Sequence, residues 1–239
     1  MAFSISNRQY DQHTEQIHSS GGERLRDLML GLNDGLVASF AVTSGLAGAA
    51  MVARIVVMAG LAEMLGGAVS MGLAAFISAR SHVEFYQSEI ERERQEMARW
   101  PEREREEIRH IYRAKGFSGR LLDEVVAHIT ADPERWSNVM MREELGLSGE
   151  FESPWRSGIT VGLAYLIGAA VPVIPYFLTS GDTGLPWSAA ATLLTLFAVG
   201  AGKTVITARA WWRSGLESVL TGAAAAAATF FAGRLFASR

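Results

Sequence analysis

The feature that most constrains this chain is the separation of its charged residues from long apolar stretches. Residues 80–156 hold 17 acidic and 13 basic side chains, whereas five other segments carry at most two charges each. A helix needs about 20 mainly apolar residues to cross a bilayer, because each residue rises about 1.5 Å. We therefore predict five membrane spans, at residues 28–53, 55–79, 157–180, 184–208 and 216–236.

The distribution of charge also predicts the domain organisation. We expect an all-α fold in which a five-span transmembrane bundle carries a charged helical insert between its second and third spans. The boundaries follow the composition: an N-terminal segment at 1–27, spans one and two within 28–81, the insert at 82–155, and spans three to five within 156–239.

Helix start and stop signals divide the insert. The second span has no helix breaker near its end, so its helix is expected to continue through residue 97. Trp100-Pro101 ends that helix, and proline suits the first turn of the next one, which should end at Gly116. Ser118 is expected to cap a third helix that runs to about Thr130, and Asp132-Pro133 a fourth that ends at Gly146.

Arginine placement predicts the orientation. Short flanks on the cytoplasmic side of a membrane are rich in Arg and Lys. With the N-terminal segment in the cytoplasm, the insert is cytoplasmic too, and six span-flanking arginines lie on that side: Arg24, Arg26, Arg80, Arg156, Arg209 and Arg213.

Composition excludes several kinds of site. The chain has no cysteine, so a bound metal must be held by oxygen, imidazole or thioether ligands. The net charge of -3 argues against a nucleic-acid partner, because such proteins usually carry a strong basic excess.

Two acidic residues lie inside predicted spans. Asp34 and Glu63 are candidate ion ligands, because a charge in the bilayer costs roughly 3 kcal/mol and is found mostly where it has a function. Met71 lies two helical turns after Glu63, and oxygen beside sulfur suits a transition ion better than calcium or magnesium. Alternatively, Asp34 pairs within the bundle, Glu63 pairs with Lys203, and Met71 only packs.

The insert offers a second set of candidate ligands on helical faces. These are Glu89, Glu93 and Glu96 on the first helix, Glu104 and Glu107 on the next, and Met140, Met141 and Glu144 on the last. If the helices fold together, the set forms a multi-metal site. The alternative is a solvated charged face, which the interleaved Arg92, Arg94, Arg103 and Arg105 favour.

Six short motifs in order along the chain resemble one family. The sequence resembles the vacuolar iron transporters and their yeast and bacterial relatives, from about residue 24 onward. The motifs are GLNDGL at 31–36, SGLAGA at 44–49, GLAE at 60–63, SMGL at 70–73, MMREELGL at 140–147 and VPVIPY at 171–176.

The resemblance implies a five-span homodimer without a catalytic cofactor, which exports ferrous iron, and often manganese, from the cytoplasm in exchange for protons. It implies an ion path lined by Asp34, Glu63 and Met71, with Asp27 at the cytoplasmic mouth. The insert is then expected to collect metal through Glu93, Glu96, Glu104, Glu107, Met140, Met141 and Glu144.

Composition suggests where such a protein resides. Arginine replaces lysine almost throughout, with Lys115 and Lys203 the two exceptions. This bias is typical of GC-rich bacterial genomes, so we expect the inner cell membrane in a bacterium and the vacuolar membrane in a eukaryote.

Two other functions are compatible with the sequence. Glu15-x-x-His18 and Glu107-x-x-His110 have the ligand spacing of ferritin-like di-iron oxidases, which would make the chain a membrane-bound ferroxidase. A membrane scaffold that senses metal through the insert, without transport, is the second alternative. The intramembrane acids favour transport over both, and we expect no enzyme activity.

Overall fold

The computed structural model describes residues 7–146, 153–179, 183–204 and 210–238, with side chains from residue 22 onward. These residues form eight helices and no strand, which confirms the all-helical prediction. The helices are α1 (Asn7–Gly48), α2 (Ala53–Arg99), α3 (Pro101–Ala114), α4 (Gly119–Thr130), α5 (Pro133–Glu143), α6 (Pro154–Leu178), α7 (Gly184–Gly202) and α8 (Trp211–Ala237).

Four of these helices are long and apolar enough to cross a membrane, namely α2, α6, α7 and α8. Helix α1, which contains the first predicted span, is not among them. Its apolar stretch is interrupted by the polar pair Asn33-Asp34, which lowers the mean hydropathy of that stretch. Four of the five predicted spans therefore have helices of the required length and composition, and the first span stays a prediction.

The chain divides into two compact units, residues 1–78 with 152–239, and residues 79–151. In the first unit, which we call the membrane unit, successive long helices alternate in direction. Helix α1 runs parallel to α6, since Asp27 contacts Ser157 and Gly35 contacts Tyr165. Helix α2 is antiparallel to α6, and α7 forms antiparallel pairs with α6 and α8.

Glycines bring α1 and α6 unusually close. A Cβ atom at Gly31 would lie 2.4 Å from the Val161 carbonyl oxygen, and one at Gly35 would lie 2.2 Å from the Tyr165 carbonyl oxygen. Both distances are far inside van der Waals contact, so glycine is required at each position. This close approach sets the position of Asp34, which lies between the two glycines.

The second unit, which we call the insert unit, consists of the end of α2 with α3, α4 and α5. Helix α2 continues to Arg99, Trp100 separates it from α3, and Gly116 with a φ of 97° follows α3, as the sequence predicted. An apolar core holds the four helices together: Met97, Ile108, Leu122, Val126, Ile129, Trp136 and Met140.

The two predicted caps differ in the structure. The Asp132 side chain accepts a hydrogen bond from the backbone N–H of Arg135 at 2.9 Å, so it is a true N-cap of α5. Ser118 occupies the N-cap position of α4, but its side chain makes no capping hydrogen bond. The capping role predicted for its hydroxyl is therefore wrong, although the helix begins where expected.

This difference predicts unequal effects of two matched substitutions. Asp132→Ala removes a capping bond worth about 1 kcal/mol, so amide hydrogen exchange in the first turn of α5 should accelerate about fivefold. Ser118→Ala removes no such bond and should leave exchange in α4 unchanged. Hydrogen exchange of the detergent-solubilised chain, read by mass spectrometry, measures both, and equal acceleration in the two variants would contradict the assignment.

Candidate functional site

Three helices of the membrane unit meet around Glu63. The hydroxyl of Tyr165 on α6 donates a hydrogen bond to Glu63 Oε1 on α2. Asp34 on α1 lies close enough for its charge to interact with both residues. Ser39, one helical turn further along α1, lies beside Glu63. The structure thus brings the two predicted intramembrane acids together, at a junction of α1, α2 and α6.

The other two predicted pathway residues occupy different surroundings. Met71 is half-buried on α2, two turns after Glu63 and next to Gly72, where α2 contacts Gly158 of α6. Asp27 is 2% exposed, and its carboxylate accepts hydrogen bonds from the Ser157 hydroxyl and the Arg26 guanidinium. Asp27 therefore connects α1 to the first turn of α6, two turns before Asp34.

Lys203 belongs to a separate feature of the membrane unit. It lines a cavity of about 600 Å³ together with Arg26, Asn33 and Glu217, between α1, α7 and α8. The side-chain hydrogen bond of Glu63 goes to Tyr165 instead. This arrangement does not match the alternative in which Glu63 forms an ion pair with Lys203.

The insert unit contains a compact group of carboxylates. One oxygen from each of Glu93, Glu96 and Glu104 lies within 4.8 Å of the others, a spacing that allows a single ion to bind all three. Glu93 is 4% exposed and Glu104 is 1% exposed, and each has one buried oxygen without a hydrogen-bond partner in the described structure. Buried carboxylate oxygens without partners are costly, and a hard divalent cation removes that cost.

Burial and mutual repulsion change the acidity of this group. Burial raises the pKa of Glu93 to about 7, with further increases from the charges of Glu104, Glu144 and Glu96. Burial also raises the pKa of Glu104 and of Glu144, and the negative charges of Glu107 and Glu96 act in the same direction on both. Five carboxyl groups from α2, α3 and the end of α5 therefore share one electrostatic site.

Arginines pair with carboxylates around the group formed by Glu93, Glu96 and Glu104. Arg92 binds Glu89 at 2.7 Å and approaches Glu96 at 3.8 Å, and Arg103 binds Glu107 at 3.2 Å. Glu89, which has the helical spacing of a ligand, is thus paired with arginine and is not part of the three-carboxylate group. Among the other predicted carboxylates of α2 and α3, Glu93 and Glu104 form a buried centre. Glu96 and Glu107 form a rim whose charge the arginines neutralise in part.

The two predicted methionine ligands are both buried on α5. Met140 belongs to the apolar core of the insert unit, and Met141 is 1% exposed but lies outside that core. Glu144 follows them by one helical turn, and its charge interacts with Glu93 and Glu104.

The spacing that suggested an oxidase has little support here. Glu107 is half-buried, but His110 is exposed and does not belong to the carboxylate group. Glu15 and His18 fall in the part of α1 whose side chains are outside the described residues. The geometry of the insert is that of a glutamate site instead of a Glu-x-x-His site.

Tyr165 and Ser157 are the residues at these sites that sequence reasoning missed. Both occur in an apolar span with no charge, where a tyrosine or serine has no periodic signal of its own. A buried tyrosine hydroxyl usually finds a hydrogen-bond partner, and in an uncharged span this is the clue that could have linked Tyr165 to an intramembrane acid.

The chain is similar to known proteins over most of its length. The VIT family matches residues 25–234. The chain is 38% identical to vacuolar iron transporter 1 of Arabidopsis thaliana over 224 residues, which cover 92% of this chain and 88% of the relative. It is 37% identical to vacuolar iron transporter 1 of Eucalyptus grandis, covering 93% and 90%. Protein CCC1 of Saccharomyces cerevisiae is 32% identical, covering 87% and 67%.

The acidity of Glu93 predicts a pH dependence for metal binding to the insert unit. A carboxylate with a pKa of about 7 is mostly ionised at pH 8 and mostly protonated at pH 6, so the affinity for Mn²⁺ should fall at least about tenfold over that range. The measurement is calorimetric titration of the full chain in detergent. Glu93→Gln should weaken binding and flatten this pH dependence.

Glu91→Gln is the matched control, because Glu91 is exposed on the same helix two residues before Glu93. It should leave both the affinity and its pH dependence unchanged. Equal affinity at pH 6 and pH 8 in the wild-type protein would contradict the assignment of Glu93 as a ligand.

Proposed function

The chain belongs to the VIT family, and on that premise we propose that it transports divalent iron, and also manganese, across a membrane. The observation that carries the proposal is the pair of carboxylates, Asp34 and Glu63, at a junction of three helices in the membrane unit. Charged groups in such a position are expensive and are usually part of a substrate path. The names of the relatives support iron as the cargo.

The proposed topology has five spans, with α1 as the first. Support comes from its packing, since α1 runs beside α6 and α8 along the length of the membrane unit. The alternating helix directions bring the end of span two and the start of span three to the same side as the N-terminal segment. The positive flanks assign that side to the cytoplasm. The insert unit is then cytoplasmic, and transport runs outward from it.

The proposed mechanism is capture followed by passage through the membrane unit. Glu93, Glu96 and Glu104 bind the ion from the cytoplasm, with Glu107, Glu144, Met140 and Met141 contributing to the same site. Glu63 and Met71 then accept the partly dehydrated ion, and Asp34 passes it outward, with Asp27 near the entry side. Protons return on the same carboxylates, because a proton and a cation compete for one oxygen.

The proposal includes a homodimer formed through α2. One face of this helix presents small residues every fourth position, and all of them are exposed in the single chain: Ala62, Gly66, Ser70 and Ala74. Small residues at this spacing allow two membrane helices to approach closely. Glu63 and Met71 each follow a member of this row directly, so a dimer along it would bring both pathway residues near their counterparts.

The two alternative functions make different demands. A ferroxidase would consume oxygen when ferrous iron is added to the purified protein, and a sensor or scaffold would bind metal through the insert unit without moving it. The exposure of His110 disfavours the first, and the carboxylates inside the membrane unit disfavour the second. We propose the inner membrane as the location in a bacterium and the vacuolar membrane in a eukaryote.

Transport by this route predicts specific losses in proteoliposomes. Wild-type protein should take up ferrous iron and manganese when a pH gradient is imposed, and Glu63→Gln, Asp34→Ala and Met71→Ala should each lower the rate at least about tenfold. Met51→Ala is the control, because Met51 is an exposed thioether between α1 and α2, away from the row of small residues on α2. Wild-type rates in any of the first three variants would remove that residue from the path.

The proposed dimer predicts the effect of a bulky side chain on the exposed face of α2. Nothing in the protomer lies within 4 Å of a Cβ at Gly66, so Gly66→Leu leaves the fold of the single chain intact. It should convert a dimer into a monomer of 25.9 kDa, as measured by light scattering in detergent with the detergent mass subtracted. Ala228→Leu, at an exposed position on α8, should remain dimeric. A monomeric wild-type protein would rule out the dimer.

A further inference from the structure

Tyr165 is bound to one side of the Glu63 carboxylate. Its hydroxyl donates to Oε1, and the tyrosine is 3% exposed. The other oxygen, Oε2, is buried and forms no hydrogen bond with the described residues, although the Ser39 side chain lies beside the carboxylate. The carboxylate is therefore held at one oxygen and left available at the other.

The position of Tyr165 is fixed by glycines on two neighbouring helices. On α2, a Cβ at Gly67 would lie 2.3 Å from the Tyr165 hydroxyl oxygen and 2.4 Å from a ring carbon. On α1, a Cβ at Gly35 would lie 2.2 Å from the Tyr165 carbonyl oxygen. Side-chain atoms at either position would displace the tyrosine, so the two glycines form the space in which its hydroxyl meets Glu63.

A neutral hydroxyl is well suited to hold a carboxylate that must also bind a cation. Lysine or arginine would hold Glu63 with a full positive charge, which repels a divalent ion at the same group. The tyrosine hydroxyl orients the carboxylate through a hydrogen bond and carries no positive charge. Residues that orient a metal ligand in this way typically contribute a factor of about 10–100 to metal affinity or activity.

We propose that Tyr165 is a positioning residue that holds Glu63 Oε1 and thereby presents Oε2 to the transported ion. The proposal rests on the proposed transport function, in which Glu63 accepts the ion. It assigns to α6 a role at the ion path, although α6 has no charged residue between Ser157 and Leu178.

The test compares Tyr165→Phe with Tyr176→Phe in proteoliposomes. Both tyrosines are buried on α6, but the Tyr176 hydroxyl has no hydrogen-bond partner among the described residues. In folded protein, Tyr165→Phe should raise the apparent KM for ferrous iron and manganese about tenfold or more, and Tyr176→Phe should change the KM less than about twofold. An unchanged KM in Tyr165→Phe, beside active wild-type protein, overturns the proposal and leaves transport intact.

A second variant covers the case in which Tyr165→Phe does not fold. Gly67→Ala retains the tyrosine but displaces its hydroxyl from Glu63, so it should raise the KM in the same way. Its folding is checked by size-exclusion chromatography. A folded Gly67→Ala protein with the wild-type KM overturns the proposal.

A binding measurement separates this proposal from the transport proposal. In full-length protein with Glu93→Gln and Glu104→Gln, remaining Mn²⁺ binding reports the membrane unit. Tyr165→Phe should weaken that binding about tenfold, and it should have no further effect when Glu63→Gln is also present. This result without flux in the wild type would refute transport but support positioning by Tyr165. An equal effect of Tyr165→Phe with and without Glu63 would overturn the positioning role.

Discussion

The close crossing of α1 on α6 is the contact on which the membrane unit depends. Gly31 and Gly35 allow the two backbones to approach to distances that no side chain would permit. Asp34 lies between these glycines, so the same contact that joins the helices also places a carboxylate beside α2 and Glu63. Asp27 and Ser157 extend the contact by two turns and fix the register of the two helices. The contact between α1 and α6 therefore determines both the packing of these helices and the position of Asp34 beside Glu63.

The two units handle negative charge in different ways, and the difference suits different tasks. In the insert unit, arginines pair with carboxylates at the rim, whereas burial and the charges of neighbouring carboxylates raise the pKa of Glu93 to about 7. Under the proposed function, such a group binds a cation in exchange for a proton. The membrane unit keeps two carboxylates at a three-helix junction and orients one of them with a neutral hydroxyl. Under the proposed function, the insert unit captures the ion and the membrane unit passes it on.

The sequence predicted what depends on local signals. Pro101, Gly116 and Asp132 mark helix ends through backbone geometry that is independent of the rest of the fold, and the structure places the ends there. Asp34 and Glu63 could be singled out because a charge in an apolar span is unusual anywhere. Contacts between distant segments could not be predicted in this way. The bond from Ser157 to Asp27 joins residues 130 positions apart, and the bond from Tyr165 to Glu63 joins residues 102 positions apart.

The same reasoning explains why α1 is absent from the helices that are apolar enough to cross a membrane. The polar pair Asn33-Asp34 lowers the hydropathy of the central stretch of α1. Helix α1 nevertheless packs along α6 and α8, which are themselves apolar enough to cross a membrane. A helix surrounded by other helices needs less apolar surface of its own than one that faces lipid, because its polar groups find partners in the bundle. The polar residues that the proposed function assigns to the ion path are therefore the same ones that lower the hydropathy of α1, and the packing of α1 supports it as a span where its composition does not.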